Sequence, residues 1–506
     1  MTRGPDALAR LAPPDWLAAH ARSAPDRLAL VDGMNRLSYA DLDDLVDRMA
    51  AALAEGGVRP GRAVATLLPN SSEMVVALLA TLRCGAIVLP ISPLYKQTEI
   101  ETMLGQERPQ AVFASVDGFL AVDSVLADLA APSVLKVGVS EAPAGWRSYA
   151  ELLQSARPRV EARAFEGSAP ALWLYSSGST GGSKRISRTR AQISAEASAF
   201  HATTETTTND VVLCAVPLSH AHGLGNGLLA AIYVGATLVV HERFDRRRFL
   251  SDIEAERVTI VPGSPFMFKV LAETPMKREP DVSSIRLCLT AGAPLAREVF
   301  EACRDRFGLS VRQLYGTTET GAASINLSED IDATWASVGR PLRGVEIGVF
   351  DAQDRPLPPG IEGAIGIRSP AMFDGYEIEA LNATALRRGH FFAGDLGKLD
   401  AEGRLYITGR DTLFINLSGN KADPAEVERV LAAHPKVVES VVLGIRQAGG
   451  DEIVKAVVVT REPMDAAELV EFCRGRIADF KIPRLIEFRD EIPRNALGKV
   501  LRKYLQ

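Results

Sequence analysis

The chain has 506 residues, more than one hydrophobic core normally organises, so two or more domains are expected. Its composition, 47% hydrophobic and 24% charged, is ordinary for a soluble globular protein. A formal net charge of -6 and a pI near 5.8 give no electrostatic reason to expect nucleic acid or an anionic membrane as a partner, and a small anionic ligand would need local positive charge.

No export signal or membrane span is predicted. Residues 1–14 lack the basic start, apolar stretch and small-residue cleavage site of a secretory signal. The longest apolar stretch, Met74 to Ile91, is interrupted by Arg83. Asn70 and Glu73 form a capping box ahead of it, which predicts a buried helix that runs into a strand. A cytoplasmic location is therefore expected.

The cysteines are scattered along the chain, and none forms a CxxC pair. Most of them lie among apolar residues, which is typical of buried thiols rather than of a disulfide or metal framework. We therefore expect reduced, buried side chains at Cys84, Cys214, Cys288, Cys303 and Cys473.

The pattern of strands and helices indicates the fold class. Strand-like and helix-like segments alternate through the first part of the chain, which favours an α/β fold with largely parallel sheets. From Val345 to Thr408, short strand-like runs separated by proline and glycine turns predict a small β-rich subdomain. Together these segments predict a large N-terminal domain, residues 1–410.

A second change in pattern follows Gly409. Asp423 and Pro424 are an N-cap and a first-turn proline ahead of a helical apolar stripe. Two apolar β runs and a helix opened by Asp465 follow. Residues 411–506 are therefore expected to form a small C-terminal α+β domain with its own core.

The segment from Tyr175 to Lys184 reads YSSGSTGGSK and follows an apolar run. Its three glycines let backbone N–H groups turn toward an anion, its hydroxyls add donors, and Lys184 adds a positive charge. It is not a Walker loop, because Ser183 and Arg185 stand where that motif needs glycine and a magnesium-binding hydroxyl. A flexible linker is the alternative, which the preceding strand disfavours. The predicted phosphate-binding residues are Ser176, Ser177, Gly178, Ser179, Thr180, Gly181 and Lys184.

This loop resembles the signature of the acyl-adenylate-forming superfamily, which includes acyl- and aryl-CoA synthetases, adenylation domains of peptide synthetases and beetle luciferases. Further segments resemble the family's motifs in the family's order. They are a histidine-bearing pocket motif at Pro217–Gly223, an adenine-side loop at Thr290–Pro294, a magnesium and acyl-phosphate motif at Tyr315–Glu319, a ribose segment at Gly389–Gly397, Gly409-Arg410 at the end of the large domain, and a lysine loop at Pro493–Lys499. Weaker similarity elsewhere extends the resemblance over nearly the whole chain.

The resemblance implies an ATP-dependent enzyme that activates a carboxylic acid as an acyl adenylate and passes the acyl group to a thiol. Such a site must align two anions, the carboxylate and the α-phosphate, and neutralise their charge. Glu319 would coordinate Mg²⁺, and Thr317 and Thr318 would donate to the α-phosphate. Lys499 would reach both anions from the small domain. The implied catalytic residues are therefore Lys499, Thr317, Thr318, Glu319 and His220.

The resemblance also implies a nucleotide site. Asp395 would accept hydrogen bonds from the ribose hydroxyls, and Arg410 would donate to the sugar or its phosphate. Each of these residues alone would be interpreted as an ordinary turn or surface residue. Besides the phosphate loop, the implied nucleotide-binding residues are Gly292, Ala293, Pro294, Tyr315, Gly316, Asp395 and Arg410.

Members of the family rotate the small domain between the two half-reactions, so the C-terminal domain is expected to be mobile. Thr412 occupies the hinge position, where the family commonly has Asp or Lys. Ser183 and Arg185 also depart from the family's usual proline and glycine. None of these changes removes a group that the reaction needs.

The implied acid pocket consists of His220, Ala221, His222, Gly223, Asn226, Gly292 and Gly321. The histidine motif lacks the Asp that would bind a substrate ammonium, so an α-amino acid is disfavoured. The glycines leave space, and His222 and Asn226 offer polar contacts, which favours a medium-sized, aromatic or functionalised acid. The alternative is that the glycines serve only helix packing. The pair His220 and His222 is not predicted to bind a metal, since no third ligand is evident.

The thiol is expected to be that of coenzyme A, because Ser418, Gly419 and Asn420 follow the hinge much as in acyl-CoA synthetases. A discrete acyl-carrier protein is the second hypothesis, and a catalytically silent sensor is the third. The retained charged residues argue against a sensor. The expected cofactors are thus ATP, Mg²⁺ and coenzyme A, with a small carboxylic acid as substrate and the oligomeric state left open.

Overall fold

The computed structural model of the protein describes residues 13–95, 97–129, 133–139, 141–156, 166–176, 184–410, 415–417, 420–422, 424–446, 452–474, 476–477, 479–495 and 498–506. The chain divides into two compact units. The first comprises Met1–Ile347, Gly366–Phe391 and Gly403–Leu405, and the second comprises Gly348–Ile365, Phe392–Glu402 and Tyr406–Gln506.

The helices are α1 Pro13–Ser23, α2 Tyr39–Glu55, α3 Ser72–Arg83, α4 Gln97–Glu107, α5 Phe119–Asp128, α6 Tyr149–Ser155, α7 Arg190–Thr204, α8 Ala221–Gly223, α9 Ala230–Val234, α10 Arg246–Ala255, α11 Pro265–Glu273, α12 Arg297–Phe307, α13 Ile331–Thr334, α14 Glu379–Ala385, α15 Pro424–Ala432 and α16 Ala466–Cys473. A π-helical segment, Leu224–Leu229, joins α8 to α9. Short 3₁₀ turns lie at Val116–Gly118, Asp479–Lys481 and Arg502–Tyr504. Within the described ranges, no helix is long and apolar enough to cross a lipid bilayer.

The strands are β1 Leu28–Asp32, β2 Asn35–Ser38, β3 Ala63–Leu67, β4 Ile87–Pro90, β5 Ala111–Ala114, β6 Leu135–Gly138, β7 Arg147–Ser148, β8 Pro170–Ser176, β9 Lys184–Thr189, β10 Val211–Cys214, β11 Thr237–Val240, β12 Ile260–Gly263, β13 Leu287–Thr290, β14 Val311–Thr317, β15 Gly321–Ile325, β16 Arg340–Pro341, β17 Glu346–Phe350, β18 Gly363–Arg368, β19 Leu386–Arg387, β20 His390–Leu399, β21 Leu405–Arg410, β22 Ile415–Leu417, β23 Asn420–Ala422, β24 Val437–Arg446, β25 Glu452–Thr460 and β26 Leu485–Phe488.

A nine-stranded sheet in the first unit has the order β16-β15-β14-β13-β12-β10-β11-β1-β2. Its central strands pair in parallel, and β2, β15 and β16 add antiparallel edges. Gly263, Thr290 and Gln313 are in register on three neighbouring parallel strands. The segments that follow these strands therefore begin at one edge of the sheet, where open α/β folds bind ligands.

A seven-stranded sheet in the same unit has the order β7-β6-β5-β3-β4-β8-β9. All neighbours pair in parallel except β8 and β9, which are antiparallel. Its central strands are buried along their whole length, as expected of parallel strands with both faces covered. Ser176 pairs with Lys184 at the ends of β8 and β9, so the residues flanking the predicted phosphate loop are adjacent.

The remaining sheets are smaller. A five-stranded sheet has the order β17-β18-β20-β19, with β21 also paired to β20, and β22 pairs with β23. In the second unit, β25 pairs with β24 in antiparallel orientation and with β26 in parallel orientation. α15 and α16 contribute Val427, Leu431, Leu469 and Cys473 to a core beneath these strands. The structure confirms the predicted fold class, an α/β chain built on parallel sheets with a C-terminal α+β part.

Local sequence signals account for several helix starts, but one predicted cap differs from the structure. Asp465 caps α16 by accepting from the Glu468 N–H at 2.8 Å, as predicted. The predicted capping box at Asn70 is wrong, because Ser71 is the N-cap of α3. Asn70 instead donates to Val216 O at 3.0 Å and accepts from Leu218 N at 2.7 Å. The five cysteines are buried and unpaired, as predicted.

Candidate active site

Lys184 opens strand β9 and is half-buried. Its Nζ lies 5.3 Å from the ring centroid of Tyr376, within the range of a cation–π contact. The phosphate-loop residues that precede it, Ser177, Gly178, Ser179, Thr180 and Gly181, lie outside the described residues. So do Thr412, Ser418 and Gly419, and nothing is described of the side chains of Ser176, Arg410 and Asn420.

Arg185, one of the residues that depart from the family pattern, is held on three sides. Its guanidinium pairs with Glu107 at 2.6 Å and with Glu377, and it lies 4.2 Å from the centroid of the Trp173 ring. The Tyr175 hydroxyl also donates to Glu107. Burial and the Glu107 carboxylate both raise the pKa of Tyr175, so this phenol stays protonated. Arg185 thus anchors strand β9 next to Lys184.

The predicted magnesium and acyl-phosphate motif forms the tight turn between β14 and β15. The Thr317 hydroxyl accepts from the Thr320 N–H at 3.1 Å and contacts the Thr320 hydroxyl at 3.1 Å. Gly321 adopts a φ of +67°, a region that favours glycine. A Cβ added at Gly316 would lie 2.2 Å from Gly321 O, so the hairpin closes only with glycine there. Thr317 and Thr318 remain partly exposed at the turn.

Glu319 is buried, with 8% of its surface exposed, and one short segment holds it twice. The Phe373 N–H donates to Glu319 O at 2.8 Å, and the Tyr376 hydroxyl donates to Oε1 at 2.7 Å. Burial and the nearby carboxylate raise the pKa of Tyr376. Among the residues described, none donates a hydrogen bond to Oε2. One carboxylate with an available oxygen fits Mg²⁺, which takes one or two carboxylates and completes its shell with water and substrate phosphates.

The histidine motif begins at the end of the nine-stranded sheet. His220 caps the short helix α8, where it accepts from the His222 N–H at 3.4 Å, and it is exposed. His222 Nε2 lies 3.1 Å from Gly263 O, and its Nδ1 lies 2.9 Å from Asn226 Nδ2. Burial lowers the pKa of His222 to about 4, against the opposing effects of the Gly263 hydrogen bond and Glu196. His222 is therefore neutral near pH 7.

Gly263 also joins this motif to the predicted adenine-side loop, because the Ala291 N–H donates to the same Gly263 carbonyl at 3.3 Å. Within that loop, Gly292 has a φ of +87°, and an added Cβ would meet nothing within 4 Å. Gly292, Ala293 and Pro294 are exposed, whereas Tyr315 is buried. Glycine is therefore favoured at position 292 by its positive φ, not by close packing.

The pocket glycines face close neighbours. An added Cβ would lie 2.4 Å from Pro217 O at Gly223, 3.0 Å from Glu196 Oε1 at Gly225 and 2.8 Å from Cys214 Sγ at Gly227. These distances favour the packing interpretation of the glycines over open space for a substrate. The same holds at Gly321, where the added atom would lie 2.6 Å from the Glu196 side chain.

Glu196 is a site residue that the sequence did not reveal. Its carboxylate pairs with Arg188 at 2.9 Å and accepts from the Ala322 N–H at 3.0 Å. Arg188 is 1% exposed and Glu196 8%, so this ion pair lies inside the protein, behind Gly225 and Gly321. No sequence pattern marks a buried pair on a strand and the helix after it, since both residues usually lie at the surface.

Asp395 and Lys499 belong to the second unit. Asp395 lies on β20 and is buried, and Gly394 before it has a φ of +81°. Lys499 is exposed in a turn, and both the side chain and the backbone of Asn495 form hydrogen bonds with its backbone. The Asn495 side chain accepts from the Lys499 N–H at 2.9 Å, and the Asn495 N–H donates to Lys499 O at 2.8 Å.

A small apolar core fixes the position of this turn within its unit. Ile492 and Leu505, on either side of the turn, pack against β24 and β25. Arg502 adds a hydrogen bond of 3.0 Å to Val442 O. The backbones of Asn495 and Lys499 are therefore held close to this core, while the side chain of Lys499 is exposed.

Two family models match the chain, AMP-binding enzyme over residues 17–377 and AMP-binding enzyme C-terminal domain over residues 426–499. Indoleacetate–CoA ligase of Aromatoleum aromaticum is 33% identical over 497 residues, which cover 96% of each chain. 2-Succinylbenzoate–CoA ligase of Bacillus subtilis is 32% identical over 97% of each chain.

Solved structures agree with these matches. ATP-bound MatB from Rhodopseudomonas palustris superposes with a TM-score of 0.86 at 29% identity, covering 98% of both chains. The o-succinylbenzoate CoA synthetase MenE from Bacillus subtilis, in complex with its acyl-adenylate intermediate, gives 0.84 at 30% identity and covers 97% of this chain and 98% of that one.

Fold and relatives together define an adenylate-forming acid–thiol ligase, as the sequence motifs predicted. The chain belongs to the AMP-binding enzyme family.

Proposed function

We propose that this protein uses ATP and Mg²⁺ to convert a carboxylic acid into an acyl adenylate and then transfers the acyl group to coenzyme A. The observation that carries the proposal is the contact of Lys184 and Glu319 with one tyrosine, Tyr376. A phosphate-loop cation and a candidate metal-binding carboxylate are thereby close together, as a triphosphate substrate requires.

In the first half-reaction, a carboxylate oxygen bonds to the α-phosphorus while the bond to the bridging oxygen breaks, and pyrophosphate leaves with that electron pair. Lys184, Thr317 and Thr318 bind phosphate oxygens of ATP. Glu319 holds the metal site, and Mg²⁺, when bound, neutralises charge on the phosphate oxygens. Lys499 donates to the carboxylate and the α-phosphate, which lowers the repulsion between them.

In the second half-reaction, the coenzyme A sulfur bonds to the acyl carbon, the bond from that carbon to the phosphate oxygen breaks, and AMP leaves. The thiol proton passes to solvent. Asp395 and Arg410 hold the ribose during both steps, and Ser418, Gly419 and Asn420 are assigned to binding of coenzyme A. These assignments rest on motif similarity.

We propose a domain boundary between residues 410 and 411, with a hinge near Thr412. The two family models support it, since the first ends at residue 377 and the second begins at residue 426. A mobile C-terminal domain would bring Lys499 to the acid in one half-reaction and withdraw it in the other.

A medium-sized, aromatic or functionalised acid is the proposed substrate. The support is the neutral His222 and its partner Asn226, two polar side chains of the predicted pocket motif. The relatives named for indoleacetate and 2-succinylbenzoate act on ring-bearing acids. An added Cβ at the pocket glycines would lie close to neighbouring atoms, so these glycines do not support the expectation that they leave space for the acid.

Two other functions remain to be tested against this one. An acyl-carrier protein could replace coenzyme A, because its phosphopantetheine arm presents the same thiol. A silent acyl or nucleotide sensor would bind ligands without turnover.

The deciding experiment is a panel of carboxylic acids scored by ATP–pyrophosphate exchange, followed by product analysis with and without coenzyme A. Exchange with at least one acid, and an acyl-CoA product, are expected. Exchange without transfer to coenzyme A, but with transfer to a carrier protein, would favour the second function. Nucleotide binding without exchange for any acid would favour the sensor.

A further inference from the structure

Tyr376 contacts both of the residues that carry the proposed function, yet it belongs to none of the motifs recognised in the sequence. Its hydroxyl donates to Glu319 Oε1 at 2.7 Å, and its ring lies 5.3 Å from the Lys184 ammonium. Lys184 opens β9, whereas Glu319 lies in the turn after β14. One side chain therefore bridges two distant parts of the chain.

The position of Tyr376 is itself fixed by its own backbone and ring. The Asn382 side chain accepts from the Tyr376 N–H at 2.7 Å and donates to Tyr376 O at 2.8 Å. The ring packs edge-on against Phe373, with centroids 4.8 Å apart, and against Phe391, with centroids 6.4 Å apart. A tyrosine clamped in this way keeps its hydroxyl at one place without a large entropy cost on ligand binding.

The residues on either side of Tyr376 tie the same segment to β9 and α7. Glu377 pairs with Arg185, next to Lys184. Asp374 accepts from Gln192 Nε2 at 2.9 Å, and the Gln192 side chain also completes the capping box of α7 with the N-cap Thr189. The segment 373–377 is therefore connected to the phosphate-loop strand, to the following helix and to the Glu319 turn.

We propose that Tyr376 is a positioning residue for nucleotide binding: its hydroxyl fixes Glu319 Oε1 so that Oε2 faces the metal site, and its ring holds the Lys184 ammonium. The inference rests on the proposed ATP site. It assigns Tyr376 no direct contact with the reacting atoms. Removing a hydrogen-bond partner that orients a metal-binding carboxylate typically lowers metal affinity by about 10–100-fold.

The test compares calorimetric ATP binding by wild-type protein, Tyr376→Phe and Tyr376→Leu, each with excess Mg²⁺ and with EDTA. No carboxylic acid is present, so turnover is not required. Tyr376→Phe keeps the ring and loses the hydroxyl. It is expected to bind ATP with Mg²⁺ about tenfold more weakly than wild type and to bind ATP in EDTA within about twofold. Tyr376→Leu is expected to weaken binding in both conditions, because Lys184 also loses its ring contact.

The matched control is Tyr39→Phe, which removes another buried hydroxyl, bonded at 2.8 Å to Ala236 O. It is expected to leave both ATP affinities unchanged. Adding Tyr376→Phe to Glu319→Gln should produce no further loss with Mg²⁺, because the two changes act through one carboxylate.

Equal Mg²⁺-dependent affinity in Tyr376→Phe and wild type would overturn the inference, as would a loss of the same size in EDTA. Fully additive effects with Glu319→Gln would also overturn it. A wild-type protein that does not bind ATP with Mg²⁺ would instead refute the proposed function, and the inference with it.

Discussion

Asn226 donates a hydrogen bond from Nδ2 to Nδ1 of His222, four residues earlier in the chain, over 2.9 Å. The other ring nitrogen, Nε2, faces the Gly263 carbonyl, which can only accept. His222 is thus held as the neutral tautomer with its proton on Nε2.

We predict a pH-dependent contribution of His222 to stability. An unfolded histidine has a pKa of about 6.5, and the folded pKa is lowered to about 4. The unfolded state then binds more protons, so this contribution is fully present above about pH 6.5 and is lost as pH falls to about 4. For this single proton, the free energy of unfolding changes by at most about 1.4 kcal/mol per pH unit. The free energies of unfolding of wild type and His222→Asn, measured by chemical denaturation between about pH 4 and about pH 6.5, should differ by an amount that changes with pH. A difference that does not vary with pH would contradict this prediction.

The buried pair of Arg188 and Glu196 gives a second prediction. Glu196→Ala leaves the Arg188 guanidinium buried without its counter-charge and should lower the free energy of unfolding by about 3–5 kcal/mol. Replacing both residues by Met should recover much of that loss. The control is Glu301→Ala in the exposed pair with Arg297, which should cost less than about 1 kcal/mol. Equal losses at the two pairs would mean that the Arg188 charge is solvated.

Asp395→Ala should weaken ATP binding and leave the fold intact, because in its proposed role the carboxylate would accept hydrogen bonds from two ribose hydroxyls. The loss of a charge-assisted pair of hydrogen bonds predicts about a tenfold or larger rise in the dissociation constant. Asp400→Ala, in the turn after the same strand, is the control. An unchanged ATP affinity in Asp395→Ala would rule out the ribose role.

Lys499→Ala should reduce adenylation by about 10²–10³ in rate, since one donor aimed at developing charge is lost. Transfer to coenzyme A from a supplied acyl adenylate should be spared. Single-turnover pyrophosphate release and thioester formation measure the two steps, with Lys503→Ala as a nearby control lysine. Equal loss in both steps would remove Lys499 from its proposed role.

Thr412→Pro should retain adenylation and block thioester formation. Rotation of a small domain requires a backbone position near the boundary to change its dihedral angles, and proline holds φ near about −65°. Proline also restricts Asp411 before it. Thr412→Ala, which keeps the backbone free, should behave like wild type. Wild-type rates of both steps in Thr412→Pro would show that the hinge lies elsewhere, whereas loss of both would indicate misfolding.

Sequence patterns located many elements because their causes are local. Short strands occupy the segment from Val345 to Thr408 that was predicted to be β-rich, Gly363–Arg368 among them, and Asp465 caps its helix as expected. The family resemblance likewise followed from short motifs, whose residue types the chemistry dictates, and the relatives confirm it. The order and spacing of residues along the chain are therefore enough to predict strands, helix caps and family motifs.

Contacts between distant segments could not be found in the same way. Asn70 looks like a helix cap, but its amide is used by Val216 and Leu218, far along the chain. Tyr376 and Glu196 carry no local signal, and each acquires its place from a partner on another element.

The sequence by itself therefore determined the fold class and the family, and it supplied the candidate residues of the site. Only the tertiary structure decided which side chains hold those residues in place. Secondary structure and motif chemistry depend on neighbours within a few residues. The environments of Glu319 and His222, by contrast, depend on segments far apart in the chain. A backbone hydrogen bond from Phe373 to Glu319 O holds the segment that carries Tyr376, and the pairing of β10 with β12 brings Gly263 close to His222.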